Sequence, residues 1–289
     1  MLIVKDETRK ELDIWLGASW TNSVYNNLIR RRLDGTCDWI LSRYTFLDWI
    51  SPDFPSGTAK ILWINGPAGH GKTILCARLV QYLSTILESP LAYHFCSSDS
   101  ESRRDPLTIM RSWISQVITC NRDAFEFACG RWEAKDGSSA SQTDIVELFK
   151  TIVQYIPNCT FVVDRLDECA WAEEKWKSNN DDSLVGFFES IKQAVAHTTT
   201  RILILSRDEP EIRYGLPTAL DSDGNQGLKE YKISPDDVRS DAMSFSRSII
   251  EKKLANKTET LKHELSQRMV DRCEGMFLWV KMLEEHLRS

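Results

Sequence analysis

Ile61-Leu62-Trp63-Ile64-Asn65-Gly66-Pro67-Ala68-Gly69-His70-Gly71-Lys72-Thr73-Ile74-Leu75 is the stretch on which the fold turns. It opens as an apolar run of strand type. It then passes through Gly66 to Thr73, which matches G-x-x-x-x-G-K-[ST] at every fixed position. It runs on into a helix from Lys72 with Leu75, Leu79, Tyr82 and Leu83 on one face. Strand, glycine-rich turn and helix in that order make an anion cradle. Glycines let successive N–H groups curl into one concavity, and the helix start adds its dipole and unpaired donors. Lys72 then places an ammonium between β- and γ-phosphates, and the Thr73 hydroxyl is placed to ligate Mg²⁺. His70 stands at a variable position of the loop and reads as an exposed residue with no catalytic part.

Downstream of this loop the chain alternates strands with helices. LAYHFC (91–96), TFVVD (160–164), RILILS (201–206) and LKEYKI (228–233) join ILWI (61–64) as strand candidates. The first four of these five in chain order are near-continuous apolar runs, as parallel strands covered on both faces require. Helices are expected from Lys72, from Asp105-Pro106 with Asp as cap and Pro as first helical residue, and over about 143–156. The alternation predicts an α/β protein, a P-loop NTPase with a doubly wound parallel sheet. Residues 1–34 read as a flanking N-terminal helical segment, with Leu12, Trp15 and Leu16 on one face and Trp20, Val24 and Leu28 continuing it. Residues 35–234 form the NTPase core. Residues 235–289 read as a C-terminal helical subdomain, with Met276, Val280, Leu283 and Leu287 as a packing stripe.

In such a sheet, ligands bind at the carboxyl ends of the strands. Asp164 ends one apolar strand and is placed as a Mg²⁺ ligand. Asp167 and Glu168 follow it as carboxylates able to polarise an attacking water. The strand 201–206 ends in Ser206-Arg207. Arg207 has two readings: a cation that contacts the γ-phosphate, or a surface arginine in a salt bridge.

The 289 residues are 42% hydrophobic and 27% charged, an ordinary globular balance. The net charge of −6 is unlike that of a general nucleic-acid binder, so nucleic acid is not expected as a partner. No run approaches the ~20 apolar residues of a membrane span. The eight cysteines contain no C-x-x-C pair, which argues against zinc and fits a reducing, cytoplasmic setting.

Taken in order, several motifs resemble the NACHT family of signal-transducing ATPases, and within it the fungal NLR-like proteins with a nephrocystin N-terminal type NTPase. The motifs are Gly35-Thr36-Cys37-Asp38-Trp39-Ile40 with Phe46 and Trp49, the P-loop and its strand, Asp164-Arg165-Leu166-Asp167-Glu168, Ser206-Arg207 and Gly275-Met276-Phe277-Leu278-Trp279. The resemblance implies a switch that binds ATP or ADP with Mg²⁺, hydrolyses ATP slowly and signals through protein partners or self-association. Two other functions compete: a dedicated nucleoside triphosphatase, and a nucleotide-stabilised interaction module without hydrolysis. ATP is expected over GTP, because the near match to a guanine motif, Asn256-Lys257-Thr258-Glu259, lies between helices and ends in Glu. Two residues depart from the family pattern. Arg165 replaces a small residue after the acidic strand end, where a cation can neutralise the carboxylates or crowd the water. Phe277 stands where related ATPases set a proline against the base. No effector domain is recognisable before the NTPase core and no repeat array after it.

Overall fold

The computed structural model describes residues 2–18, 20–51, 60–97, 106–134, 139–169, 184–216 and 228–286. In chain order the elements are α1 (Leu2–Leu16), α2 (Ser23–Arg31), α3 (Tyr44–Ile50), β1 (Lys60–Asn65), α4 (Lys72–Ile86), β2 (Leu91–Phe95), α5 (Leu107–Cys120), α6 (Arg122–Glu133) and α7 (Gln142–Tyr155). They continue with β3 (Thr160–Asp164), α8 (Leu184–Val195), β4 (Arg201–Ser206), α9 (Pro210–Gly215), β5 (Leu228–Lys232), α10 (Pro235–Lys253), α11 (Glu259–Cys273) and α12 (Phe277–His286).

The five strands form one sheet in the order β2-β3-β4-β1-β5, and every pair is parallel. Successive side chains of a strand point to opposite faces, and here both faces are covered. Ile61, Trp63, Phe161, Val163, Ile202 and Ile204 pack with α1 and α5 through α9. Leu62, Ile64, Val162, Leu203 and Leu205 pack with α3, α4 and the first turn of α10. The chain therefore has the doubly wound α/β architecture of a P-loop NTPase.

Position in the sheet explains where the strands differ. β3 and β4 are buried along their whole length. β2 lies at an edge, and of its five residues only Ala92 is fully buried, so it is not covered on both faces as its apolar run suggests. The N-terminal segment reaches that strand through the side chain of Tyr93. Leu12, Trp15 and Leu16 of α1 enter the core on one face. The chain then crosses to α2, which packs on α4. At the crossing Trp20 and Tyr25 meet the Tyr93 ring, and Tyr93 Oη donates to Asn22 Oδ1 at 2.5 Å. Leu28 of the expected stripe is buried, but Val24 is 38% exposed.

Three further details differ from expectation. α5 begins at Leu107 with Pro106 as its cap residue, not its first helical residue, and Asp105 lies outside the described residues. α6 fits between α5 and α7 where no pattern singled it out. In the C-terminal stripe, Val280 is fully buried and Leu283 packs beside it, in a small core that α10, α11 and α12 share. Met276 precedes α12 and turns to the glycine-rich loop, while Leu287 lies outside the described residues.

Candidate nucleotide-binding site

β1 ends at Asn65, and the chain turns through Gly66 to Gly71 into α4. Gly69 and Gly71 both hold φ near +79°, a left-handed conformation that a side chain would strain. Gly71 is the N-cap of α4 and has no side chain to cap the helix, so the first-turn N–H groups are left for an anion. Lys72 folds back over the loop, its Nζ donating to Gly66 O at 2.6 Å and to Pro67 O at 2.8 Å. Burial pushes the Lys72 pKa down from its ordinary value.

The loop is roofed by the Gly275–Trp279 segment. The Phe277 N–H donates to Gly69 O at 2.8 Å. A Cβ built on Gly69 would lie 2.7 Å from Met276 Cγ, and one on Gly71 would lie 3.5 Å from the Phe277 ring. His70 is thereby buried, at 6% exposure, which corrects the expectation of an exposed loop residue. Its Nδ1 lies 3.2 Å from Ala68 O, and its Nε2 lies 3.0 Å from where a Cβ on Gly275 would be. The segment that covers it comes from some two hundred residues downstream in the chain, which the local sequence around the loop does not reveal.

β3 delivers Asp164, which is fully buried; among the described residues neither carboxylate oxygen has a hydrogen bond of good geometry, and the Thr73 hydroxyl is the donor beside it. Burial pushes its pKa up to about 7. The next residue, Arg165, is left-handed at φ +57°. Its Nε donates to the Thr73 hydroxyl at 2.9 Å and lies 3.8 Å from Asp164 Oδ2, and its Nη1 lies 3.5 Å from Glu168 Oε2. Arg165 thus touches one residue of the loop and two of the acidic motif.

β4 delivers Arg207 beside this group. Its backbone N–H donates to Asp167 Oδ1 at 2.9 Å, and its Nε lies 3.3 Å from Asp167 Oδ2. Of its two sequence readings, the salt bridge is present, and Asp167 is the partner. Arg207 also lines the cavity, so the pairing leaves it beside the loop. Behind it, Trp63 Nε1 donates to Ser206 Oγ, which in turn donates to Arg207 O, both at 2.8 Å.

Ala68 to Thr73, Arg165, Asp167, Glu168 and Arg207 line one cavity of about 370 Å³. Its remaining wall includes Arg31 and Arg32 at the end of α2, Thr36 and Cys37 of the segment after it, Asp241 and Phe245 of α10, and Phe277 and Lys281 of α12. That volume lies in the range of small-ligand sites. Asp241 and Phe245 escaped sequence reading. They sit four apart on one helix face, but nothing local distinguishes them from any other half-polar face, and only tertiary packing brings them to the loop.

The sequence profile described as nephrocystin 3, N-terminal, matches residues 35–207, more than half of the chain. The chain belongs to this family. It is a NACHT-type P-loop NTPase domain. Among curated proteins it is similar to the vegetative incompatibility protein HET-E-1 of Podospora anserina, with 22% identity over 261 residues. That alignment covers 86% of this chain and 18% of the relative, so the chain spans a small part of that protein's length. Among solved structures it is similar to Cdc6p from Pyrobaculum aerophilum, at 12% identity and a TM-score of 0.42, covering 76% of this chain and 52% of that one. It is also similar to AMPPCP-bound DnaA from Aquifex aeolicus, at 12% identity and a TM-score of 0.37, covering 90% and 69%. Among the described residues of this NACHT-type domain, no helix is long and apolar enough to cross a membrane.

Proposed function

We propose that this chain is a nucleotide-dependent switch that binds ATP and ADP and hydrolyses ATP slowly with Mg²⁺. The observation that carries the reading is the cavity itself: phosphate loop, acidic turn and Arg207 line it together with the helices α10 and α12. A ligand on the loop therefore touches both the sheet and the helical subdomain. It favours the arrangement in which the two are closed, because a ligand shifts an equilibrium by its differential affinity.

Each residue has a part in this reading. Backbone N–H groups from Gly66 to Gly71 cradle the phosphates. Lys72 leaves the loop carbonyls for the β- and γ-oxygens, and Arg207 contacts the γ-phosphate. The donor set fits Mg²⁺: Thr73 offers a hydroxyl, and Asp164 offers a buried carboxylate with no well-formed hydrogen bond among the described residues, which is costly unless a cation uses it. When bound, the ion neutralises charge developing on the phosphate oxygens. Glu168 orients the attacking water, with Asp167 as the second candidate.

Arg165 supports the word slow. It occupies the Thr73 hydroxyl and reaches Glu168, so both groups must be released before they act. The same contacts favour a second reading, a nucleotide-stabilised interaction module without hydrolysis. A dedicated, fast nucleoside triphosphatase is the reading they favour least. The layout we propose is a helical segment over 1–34, an NTPase core over 35–234 and a helical subdomain over 235–289, in a cytoplasmic protein. It signals through protein partners or self-association and uses neither nucleic acid nor membrane.

The test is the identity of co-purifying nucleotide, measured beside multiple-turnover hydrolysis. Retained ADP with slow turnover supports the switch, and uncleaved ATP supports the inert module. Rapid turnover with no retained nucleotide overturns both.

A further inference from the structure

We propose that Asp241 reads the base at this site: its carboxylate accepts a hydrogen bond from the 6-amino group of adenine and rejects a purine that presents a 6-oxo group. The proposal rests on the nucleotide reading above and adds a specificity-determining residue to it.

Asp241 lies on α10 and is 8% exposed, yet it lines the cavity that holds the phosphate loop. One oxygen, Oδ2, accepts from the Cys37 N–H at 2.7 Å. The other accepts no hydrogen bond among the described residues, and no cation pairs with the group there. Arg32, nearby on the segment leading to Cys37, lines the same cavity and acts on Asp241 through its charge alone, its contacts being to Thr36 O at 2.8 Å and to Asp34 at 3.9 Å. A largely buried carboxylate with one oxygen left open gains from a hydrogen-bond donor that reaches it. In this cavity that donor belongs to a ligand.

The surroundings suit a flat ring. Phe245, one turn further along α10, lines the same cavity, and its ring centroid lies 5.8 Å from that of Phe277 in an edge-on arrangement. Two aromatic rings and the apolar Val238 offer the base a non-polar wall, and Asp241 is the carboxylate on that side, with Arg31, Arg32 and Lys281 also lining the cavity. Such a site takes its orientation from a few placed polar groups in an apolar lining.

The number of free oxygens decides which base fits. A carboxylate that recognises guanine uses both oxygens, one for N1–H and one for the 2-amino group. Here Oδ2 is turned to the Cys37 N–H, so Oδ1 is the oxygen that no donor reaches among the described residues. One acceptor matches the single exocyclic amino group of adenine. A 6-oxo purine would set an oxygen lone pair against it, and a site built around a buried hydrogen bond discriminates strongly against a ligand that cannot make it.

The test is a competition series on the intact chain with ADP, IDP, GDP and the diphosphate of unsubstituted purine riboside. The wild type should prefer ADP over IDP and GDP by about tenfold or more, with the unsubstituted purine in between. In Asp241→Asn the amide oxygen can still accept from the Cys37 N–H, while the amide nitrogen turns the cavity-facing position from acceptor to donor. The ADP-to-IDP ratio should therefore fall by about tenfold, with the melting temperature nearly kept. A residue that merely ties α10 to Cys37 would leave the ratio unchanged, and that result overturns the proposal. So does a wild type indifferent to the 6-substituent, a measurement that needs no variant. Failure of the wild type to bind any of the four diphosphates overturns the nucleotide reading as well, whereas equal binding of all four leaves that reading standing and removes only Asp241.

Discussion

Asp164, the last residue of β3, and Arg165 after it each carry a cost to the fold. Asp164 is a fully buried carboxylate without a well-formed hydrogen bond among the described residues, a cost to stability that the Mg²⁺ of the proposed site would offset. Asp164→Asn should raise the melting temperature of the nucleotide-free protein by several degrees, since removing a buried charge of this kind is worth a kcal/mol or more, roughly 2–4 °C each in a chain of this size. The same variant should lose the Mg²⁺-dependent part of any stabilisation by ADP, and both effects are read in one set of thermal melts. Arg165 sits at φ +57°, which costs a non-glycine residue about 1 kcal/mol or more. A small residue there is therefore what the turn itself prefers, and the arginine is kept at that cost while holding Thr73 and Glu168. Arg165→Gly should raise single-turnover ATP cleavage above wild type. Glu168→Gln should bind ATP as wild type does but cleave it about a hundredfold more slowly, the usual size of a positioned general base. If Arg165→Gly leaves cleavage unchanged, the arginine is not a brake.

At the scale of elements, burial decided what was legible. β3 and β4 match the expected 160–164 and 201–206 residue for residue, because central parallel strands must be apolar at every position. α6 was not legible: Ala124 and Ala128 are its fully buried residues, too small to mark a face by hydrophobicity. The P-loop could be read because its chemistry is local to eight consecutive residues. The wall formed by Asp241, Phe245 and Cys37 could not, because it exists only once α10 folds back on the segment after α2. His70 shows the same limit, its burial being imposed by Gly275 from the far end of the chain. That contact gives a test at this scale. Gly275 holds φ +84°, and a Cβ there would lie 3.0 Å from both His70 Nε2 and Val238 Cγ2. Gly275→Ala should therefore cost about 1–3 kcal/mol from left-handed strain and overpacking. His70→Ala combined with it should recover part of the loss, because it opens the space the new methyl needs. A double-mutant cycle of thermal stability measures this, and strict additivity would mean that loop and roof are not in contact in solution.

At the scale of the whole molecule, the buried apolar side chains of the described residues fall into three clusters. Two lie on the faces of the sheet, and the third is built from α10, α11 and α12, with Phe277 packed against both the second and the third. A subdomain with its own core, joined to the sheet across a cavity, can shift without unfolding, and what fills the cavity governs how tightly the two are held. ADP at a hundredfold excess over its Kd should stabilise the fold by about 2.7 kcal/mol, or roughly 5 °C or more. Lys72→Ala should remove most of that rise, because the proposed site uses Lys72 as the charge-assisted donor to the phosphates. Global melting alone would not separate a site on the sheet from one shared with the helices. Hydrogen exchange does. The Phe277 N–H bonds Gly69 O directly across the junction. If the nucleotide clamps loop to roof, exchange at Phe277 and through α12 should slow with ADP as much as in the first turn of α4, and both effects should vanish in Lys72→Ala. Protection confined to α4, with α12 exchanging as before, would mean that the nucleotide sits on the loop without engaging the helices. The cavity would then serve binding and not switching.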